Sequence, residues 1–195
     1  MILTTCAACA APLAHDAPGC ARCLTRYCSM GNLAITYSRM GRNEEALRVS
    51  RDVYFAHVRL DGEENEVTMH AATNYAWTLV ELKRFEEAKA LLHETILVAR
   101  RVLGETGEHT LRLRCVYGQT LYLDTGASLC DLREAVTTLE ETVPIVRRVL
   151  GGAHPTTRDR ELDLQDARAA LRAREPPPPT ERALRDARAA LRATP

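Results

Sequence analysis

Length, composition and charge narrow the class of protein before any motif is considered. The chain has 195 residues, enough for one or two domains. Lys plus Arg and Asp plus Glu both number 26, so no net field would attract nucleic acid or an anionic membrane. The first 13 residues lack the positive start of a signal peptide, and no run approaches a membrane span of about 20 apolar residues. We therefore expect no nucleic-acid or membrane partner and a cytoplasmic location, with the nucleus as the alternative.

Paired cysteines dominate residues 1–28. Cys6 and Cys9 form one Cys-x-x-Cys knuckle, Cys20 and Cys23 form a second, and Cys28 follows. Each knuckle presents two thiolates from a tight turn, and the loop between the knuckles lets the two pairs converge on a tetrahedral zinc ion. The order and spacing of these cysteines resemble the first half of a MYND-type zinc finger, a family of protein-interaction modules.

We predict one zinc ion held by these four knuckle cysteines, with Cys28 or His15 replacing one of them in a second arrangement. The resemblance stops after Ser29, because Asn32 stands where the family has its next cysteine. A truncated, metal-free remnant is therefore the alternative. A thiol-based redox or metal-handling protein that uses the same cysteines is the alternative function.

Catalysis is not predicted. A thioredoxin-like Cys-x-x-Cys needs a strand before it and a helix N-terminus beneath it to lower a thiol pKa, and the flanking residues supply neither. The chain also contains no phosphate-binding loop, nucleophile elbow or His-Glu-x-x-His motif. We expect a protein that is not an enzyme.

A fixed spacing organises residues 29–174. The anchors Asn32, Ala46, Gly62 and Thr68 return 42 residues later as Asn74, Ala88, Gly104 and Thr110, and the last two return after 47 more as Gly151 and Thr157. Such a period is typical of stacked helix pairs, and each copy holds two apolar stripes at helical spacing with a turn between them. We predict an all-α solenoid of about three pairs, with an insertion at 124–128 in the third.

A consensus is visible from Asn32 to Leu47. It runs Asn-Leu-Ala-x-x-Tyr-x-x-x-Gly-Arg-x-x-Glu-Ala-Leu and resembles the tetratricopeptide repeat. The 42-residue length and the Leu-Gly pairs at 103–104 and 150–151 resemble the repeats of kinesin light chains. The resemblance covers about residues 29–172 and implies an arc whose first helices line a concave peptide-binding groove. No heptad pattern precedes Asn32, so a motor role does not follow from it.

The same resemblance implies which side chains face the groove. They are Asn32, Ile35 and Arg39 in the first copy, Asn74, Trp77 and Glu81 in the second, and Arg112, Cys115, Gln119 and Tyr122 in the third. Asn32 and Asn74 can each donate to and accept from an extended backbone, and Trp77 offers a broad apolar contact. The alternative is that the asparagines hold helix ends and that Trp77 covers a neighbouring helix. We expect a protein or peptide partner, with self-association through the repeat ends as a further contact.

The last part of the chain changes in composition. Leu162 to Arg174 predicts a helix that caps the last repeat. Pro176 to Pro179 predict an extended linker, and residues 184–193 nearly copy residues 164–173. The predicted organisation is a zinc knuckle at 1–28, the repeat array with its capping helix at 29–174, and a proline-rich linker with a short helix at 175–195.

Overall fold

The computed structural model of the protein describes residue 30 and residues 33–175. Every regular element in this part is an α-helix, as the sequence predicts. The N-terminal cysteines, Asn32 and the segment 176–195 lie outside the described residues, so the zinc site and the last short helix stay predictions. Among the described helices, none has the length and apolar character needed to cross a membrane.

Seven described helices follow one another along residues 33–175. Their bounds are α1 at 33–39, α2 at Asn43–Asp61, α3 at Glu66–Glu81, α4 at Phe85–Leu103, α5 at Glu108–Leu123, α6 at Leu129–Leu150 and α7 at Pro155–Arg174. The inserted residues 124–128 form the α5–α6 loop, as predicted. The predicted start of the capping helix at Leu162 is wrong, because α7 begins seven residues earlier. Pro155 suits that start, since its fixed φ matches the first helical turn and its missing N–H needs no partner there.

The glycine anchors of the repeat end the second helix of each pair. Gly62, Gly104 and Gly151 are the C-cap residues of α2, α4 and α6, with φ of 83°, 75° and 90°. This backbone region is open to glycine and strained for other residues. The 42- and 47-residue spacings therefore mark equivalent chain reversals.

The alanine and threonine anchors are buried contact residues. Ala46, Ala88 and Ala135 are fully enclosed in the second helices, and Thr68, Thr110 and Thr157 are enclosed near the start of the first helices. Thr157 Oγ1 donates to the Gly151 carbonyl over 2.8 Å, which ties the start of α7 to the end of α6. The repeat pattern in the sequence is thus a packing pattern.

The helices form two layers. Each helix from α2 to α7 packs on the next, and in addition α3 contacts α5 and α5 contacts α7. Within the described residues, α2 does not contact α4 and α4 does not contact α6. Because α3, α5 and α7 lie closer together than α2, α4 and α6, the array curves towards the odd-numbered helices.

Two apolar clusters connect successive pairs. Met69, Leu92 and Leu113 belong to a cluster shared by α3, α4 and α5. Leu139 and Ala167 belong to a second cluster shared by α5, α6 and α7. Since α7 covers the last pair while most of its other residues are exposed, it occupies the position of a capping helix with a polar outer face.

Candidate functional site

A groove of about 560 Å³ lies on the concave side of the array. Its lining residues come from α1, α3, α5 and α7, and from the C-terminal end of α6. It therefore spans all four odd-numbered helices. No single repeat could form it, because each helix contributes only a few side chains.

The floor of the groove is apolar. Leu111, Cys115 and Val146 pack into one buried cluster beneath it, each no more than 4% exposed. Above them Val149 and Leu150 at the end of α6 are 51% and 38% exposed and line the cavity. An incoming apolar side chain would thus contact a buried floor and cover apolar surface of Val149 and Leu150 that is now exposed to water.

Trp77 on α3 and Ile35 on α1 add further apolar surface to the groove. They are 40% and 39% exposed and both line the groove. A large aromatic side chain that remains this exposed has apolar area left to bury against a ligand. The alternative role for Trp77, to cover a neighbouring helix, accounts for only part of its surface.

Six of the residues expected in the groove line it together. They are Ile35, Asn74, Trp77, Arg112, Cys115 and Gln119. Asn74 lies in the middle of α3, and its side chain makes no hydrogen bond to another described residue. Asn74 therefore does not lie at an end of its own helix, and it lines the groove.

Three other expected groove residues lie elsewhere. Arg39 is exposed and does not line the cavity. Glu81 accepts a hydrogen bond from Ser38 Oγ, so its carboxylate connects α3 to α1. Tyr122 packs against the apolar cluster that contains Leu139. None of these three side chains lines the cavity.

The rim of the groove carries both signs of charge. Glu108 and Arg112 on α5 and Asp159 on α7 line the cavity, and none forms an ion pair with another described residue. Unpaired exposed charges of both signs favour a partner with mixed charge over a strongly acidic or basic one. This agrees with the equal numbers of acidic and basic residues in the chain.

A buried polar cluster lies where α5 meets α7 beside the groove. Gln119 Nε2 donates to Asp163 Oδ1 over 2.7 Å, and the Tyr122 hydroxyl donates to the same oxygen over 3.1 Å. Arg160 Nη1 lies 3.0 Å from Asp163 Oδ2. Burial, together with the negative charge of Asp163, raises the pKa of Tyr122. The phenol therefore stays protonated and remains a donor.

The thiol of Cys115 is a packing group. Burial raises its pKa to about 12, so it is protonated at neutral pH. A protonated, enclosed thiol is a poor nucleophile and a poor metal ligand. Over residues 33–175, moreover, no group of three or more His, Cys, Asp or Glu side chains could hold a metal ion.

The sequence reasoning missed the contribution of α6 and α7 to the groove. Val149, Leu150, His154, Thr156, Asp159 and Arg160 all line it. The signal was present, because His154-Pro155-x-Thr157 repeats the threonine anchor and places proline at a helix start. A helix that starts at Leu162 leaves out Thr156, Asp159 and Arg160, which α7 contains.

These features define a helix-pair solenoid of the tetratricopeptide type, curved around a groove. Residues 25–95, which include α1 to α3 and the first part of α4, match the family model for the tetratricopeptide repeat. No curated protein sequence matches the chain. The remaining comparisons are with solved structures.

Repeat proteins of the kinesin-light-chain type have similar structures. One is a crystal structure of nearly identical TPR-like repeats from a Podosopora anserina protein described as a kinesin light chain. Its TM-score is 0.67 and its sequence identity is 20%, and the match covers 80% of this chain and 68% of that chain. A second crystal structure of these repeats, from the same organism, has a TM-score of 0.61 and a sequence identity of 21%. The match covers 84% of this chain and 74% of that chain. The crystal structure of BtubC (BKLC) from P. vanneervenii has a TM-score of 0.54 and a sequence identity of 20%, and the match covers 87% of this chain and 65% of that chain. At such identities the likeness establishes the fold alone.

Proposed function

We propose that the protein is a non-catalytic interaction adaptor that binds an extended segment of a partner protein in the concave groove. The observation that carries this proposal is a single groove lined by the partly exposed side chain of Trp77, the exposed end of α6 and an apolar floor. Tetratricopeptide repeats generally mediate contacts between proteins, which agrees with the match over residues 25–95.

The groove supports a specific mode of binding. An apolar side chain of the partner would insert between Trp77 and Val149, where it would be shielded from water. The Asn74 amide makes no side-chain hydrogen bond to another described residue, and an amide of this kind can both donate to and accept from a partner's backbone. Glu108 and Arg112 would then select charges that flank the inserted residue.

The test uses peptides selected without prior assumptions. A random peptide library displayed on phage is selected on the immobilised full chain, and enriched peptides are synthesised and titrated while the fluorescence of Trp77, the only tryptophan, is followed. Saturable spectral shifts are expected, because a bound side chain would replace water around the indole.

The matched variants are Trp77→Ala and Phe55→Ala. Phe55 on α2 is 47% exposed, comparable to Trp77, but it does not line the groove. Measured by calorimetry, peptide affinity should fall about tenfold or more in Trp77→Ala and stay unchanged in Phe55→Ala. Equal affinities for both variants, or no enriched peptides at all, would show that the groove is not the binding site.

A further inference from the structure

Unpartnered polar atoms are concentrated beside the groove. Within residues 33–175, seven enclosed side-chain nitrogen or oxygen atoms have no hydrogen-bond partner, and three of them belong to Gln119, Arg160 and Asp163. An enclosed polar atom without a partner is destabilising, because it has lost its contact with water and gained nothing in return. Asp163 Oδ2 has the Arg160 guanidinium 3.0 Å away, so Gln119 Oε1 and Arg160 Nε are the two atoms of this cluster that a ligand group would stabilise.

The chemistry of these atoms is fixed by their neighbours. Because Gln119 Nε2 donates to the Asp163 carboxylate, the other atom of the Gln119 amide must be the oxygen, an acceptor. Arg160 Nε can only donate. Gln119 is only 6% exposed, and both Gln119 and Arg160 line the groove. The pair thus places one unpartnered acceptor and one unpartnered donor on two side chains that line the same cavity.

The cluster carries no net charge. The negative charge of Asp163 lies 3.0 Å from the guanidinium of Arg160. A carboxylate entering the site would be repelled by Asp163, and an ammonium group would be repelled by Arg160. The geometry and the charge both favour a neutral group that can donate and accept at once.

We propose that Gln119 and Arg160 form a subsite for an uncharged amide group of the bound segment. The amide N–H would donate to Gln119 Oε1, and the amide carbonyl would accept from Arg160 Nε–H. This inference rests on the proposed function, since the groove brings the segment to the subsite. The amide is either a backbone peptide group or the side chain of Asn or Gln.

Entry requires a small rearrangement. Both unpartnered atoms are enclosed, whereas the Arg160 side chain as a whole is 20% exposed and that of Asp163 is 11% exposed. Arg160 is therefore the side chain that can rotate to admit the amide. Arg160 and Asp163 form an ion pair, but Asp163 Oδ2 accepts no hydrogen bond. Rotation of the Arg160 side chain therefore breaks no hydrogen bond at that oxygen.

Small probes test the subsite directly. The ¹⁵N-labelled full chain is titrated with N-methylacetamide, acetamide, methyl acetate or sodium acetate at high millimolar concentration, and the Arg160 Nε–H and Gln119 side-chain amide signals are followed by NMR. The two amides should shift these signals saturably. The ester, which lacks the N–H donor, and the charged acetate should not.

The two amide probes distinguish the source of the group. A stronger response to N-methylacetamide indicates a backbone peptide group, and a stronger response to acetamide indicates an Asn or Gln side chain. Equal shifts with methyl acetate and the amides, or no saturable shift with any probe, would overturn the proposal.

Variants separate this subsite from the groove as a whole. Gln119→Leu should abolish the response of the Arg160 signal to amides, and Gln165→Leu on the exposed face of α7 should leave it intact. Arg160→Lys, which keeps the charge but removes Nε, provides a second test if Gln119→Leu folds poorly. Selected peptides should bind Gln119→Leu about tenfold more weakly than Gln165→Leu.

The outcomes for the two proposals differ. If peptides bind in a Trp77-dependent way but bind Gln119→Leu as tightly as the wild type, the amide subsite is wrong and the groove stands. If no peptide binds while N-methylacetamide still shifts the Arg160 signal, the subsite exists and the proposed function is wrong.

Discussion

Gln119 Nε2 donates to Asp163 Oδ1 over 2.7 Å, and this buried hydrogen bond joins α5 to α7. The Tyr122 hydroxyl donates to the same oxygen from one turn further along α5. One carboxylate therefore satisfies two enclosed donors. The bond fixes α7 against α5, and Thr156, Asp159 and Arg160 of the same helix line the groove.

Replacing Asp163 by alanine should destabilise the array. The change leaves the Gln119 amide and the Tyr122 hydroxyl without their shared acceptor, at an expected cost of about 1–3 kcal/mol in the free energy of unfolding. Asp166→Ala, at an exposed position of the same helix, should change stability by less than about 0.5 kcal/mol. Urea unfolding followed by circular dichroism measures both, and equal effects would contradict the importance of the Asp163 contacts.

The sequence predicted the repeat architecture because its anchors are residues with strict local requirements. Gly104 must adopt φ of 75°, and Ala88 must fit where two helices meet without exposed surface. Such requirements allow few residue types, so they recur at equivalent positions and reveal the period. The insertion at 124–128 was located because the spacing of the anchors lengthens from 42 to 47 residues.

The groove was predicted less completely, because its polar contacts depend on pairs of residues far apart in the chain. Gln119 and Asp163 are 44 residues apart, and nothing local to either identifies the other. The repeat period indicates the position of one partner, because Asp163 lies 42 plus 47 residues after the predicted groove residue Asn74. The displacement of Tyr122 from the groove had no such signal, because a tyrosine suits both an apolar cluster and a ligand site.

Gly118 on α5 is required by the close approach of α6. A Cβ atom at this position would lie 2.8 Å from Leu139 Cγ, so a larger side chain must push the two helices apart. Gly118→Val should lower the free energy of unfolding by about 1–3 kcal/mol, as other overpacked cores do. Thermal unfolding measures the change.

Gly126→Val is the control for this substitution. Its Cβ would meet only a side-chain oxygen of Asp124, at 3.3 Å, in the α5–α6 loop. A small effect is expected there. If both variants unfolded at the same temperature, the close approach of α5 and α6 at Gly118 would not limit stability.

Lys83 is strained in the turn between α3 and α4. Its φ is 58°, and it is the only non-glycine residue with positive φ in the described part of the chain. The equivalent residue 42 positions earlier is Gly41, with φ of 73°. A side chain in this region costs about 1–2 kcal/mol, while glycine loses more entropy on folding.

Lys83→Gly should therefore raise the free energy of unfolding by about 0.5–1 kcal/mol. The reverse change, Gly41→Lys, should lower it, because it places a side chain in the same backbone conformation. Denaturant midpoints of the two variants would show opposite shifts. A loss of stability in Lys83→Gly would mean that the lysine side chain contributes more than its backbone strain costs.

The N-terminal cysteines are tested by metal content. If Cys6, Cys9, Cys20 and Cys23 hold one zinc ion, elemental analysis of the purified, reduced protein should find about one zinc per chain. Cys6→Ser should lose it, whereas Cys130→Ser, which removes an exposed cysteine on α6, should retain it. Absence of zinc from the wild type, with freely reactive thiols, would favour the metal-free remnant.

His70 should make the array less stable in mild acid. Burial lowers its pKa below the usual 6.5, and the nearby Arg112 of α5 with His109 of α5 and His57 of α2 lower it further. The ring of His109 packs edge-on against His70, with ring centroids 6.2 Å apart. Protonation of His70 is therefore easier in the unfolded chain than in the folded one.

Below pH 6.5 the unfolded chain binds more protons at His70 than the folded chain does. The free energy of unfolding should therefore be highest, as far as His70 is concerned, above pH 6.5 and should fall as the pH drops below that value. His70→Gln should flatten this part of the stability curve, and His93→Gln, at an exposed position on α4, should leave it unchanged. Unfolding free energies measured at a series of pH values between about 5 and 8 provide the test. An unaltered slope in His70→Gln would show that protonation of His70 is not the cause of the acid sensitivity.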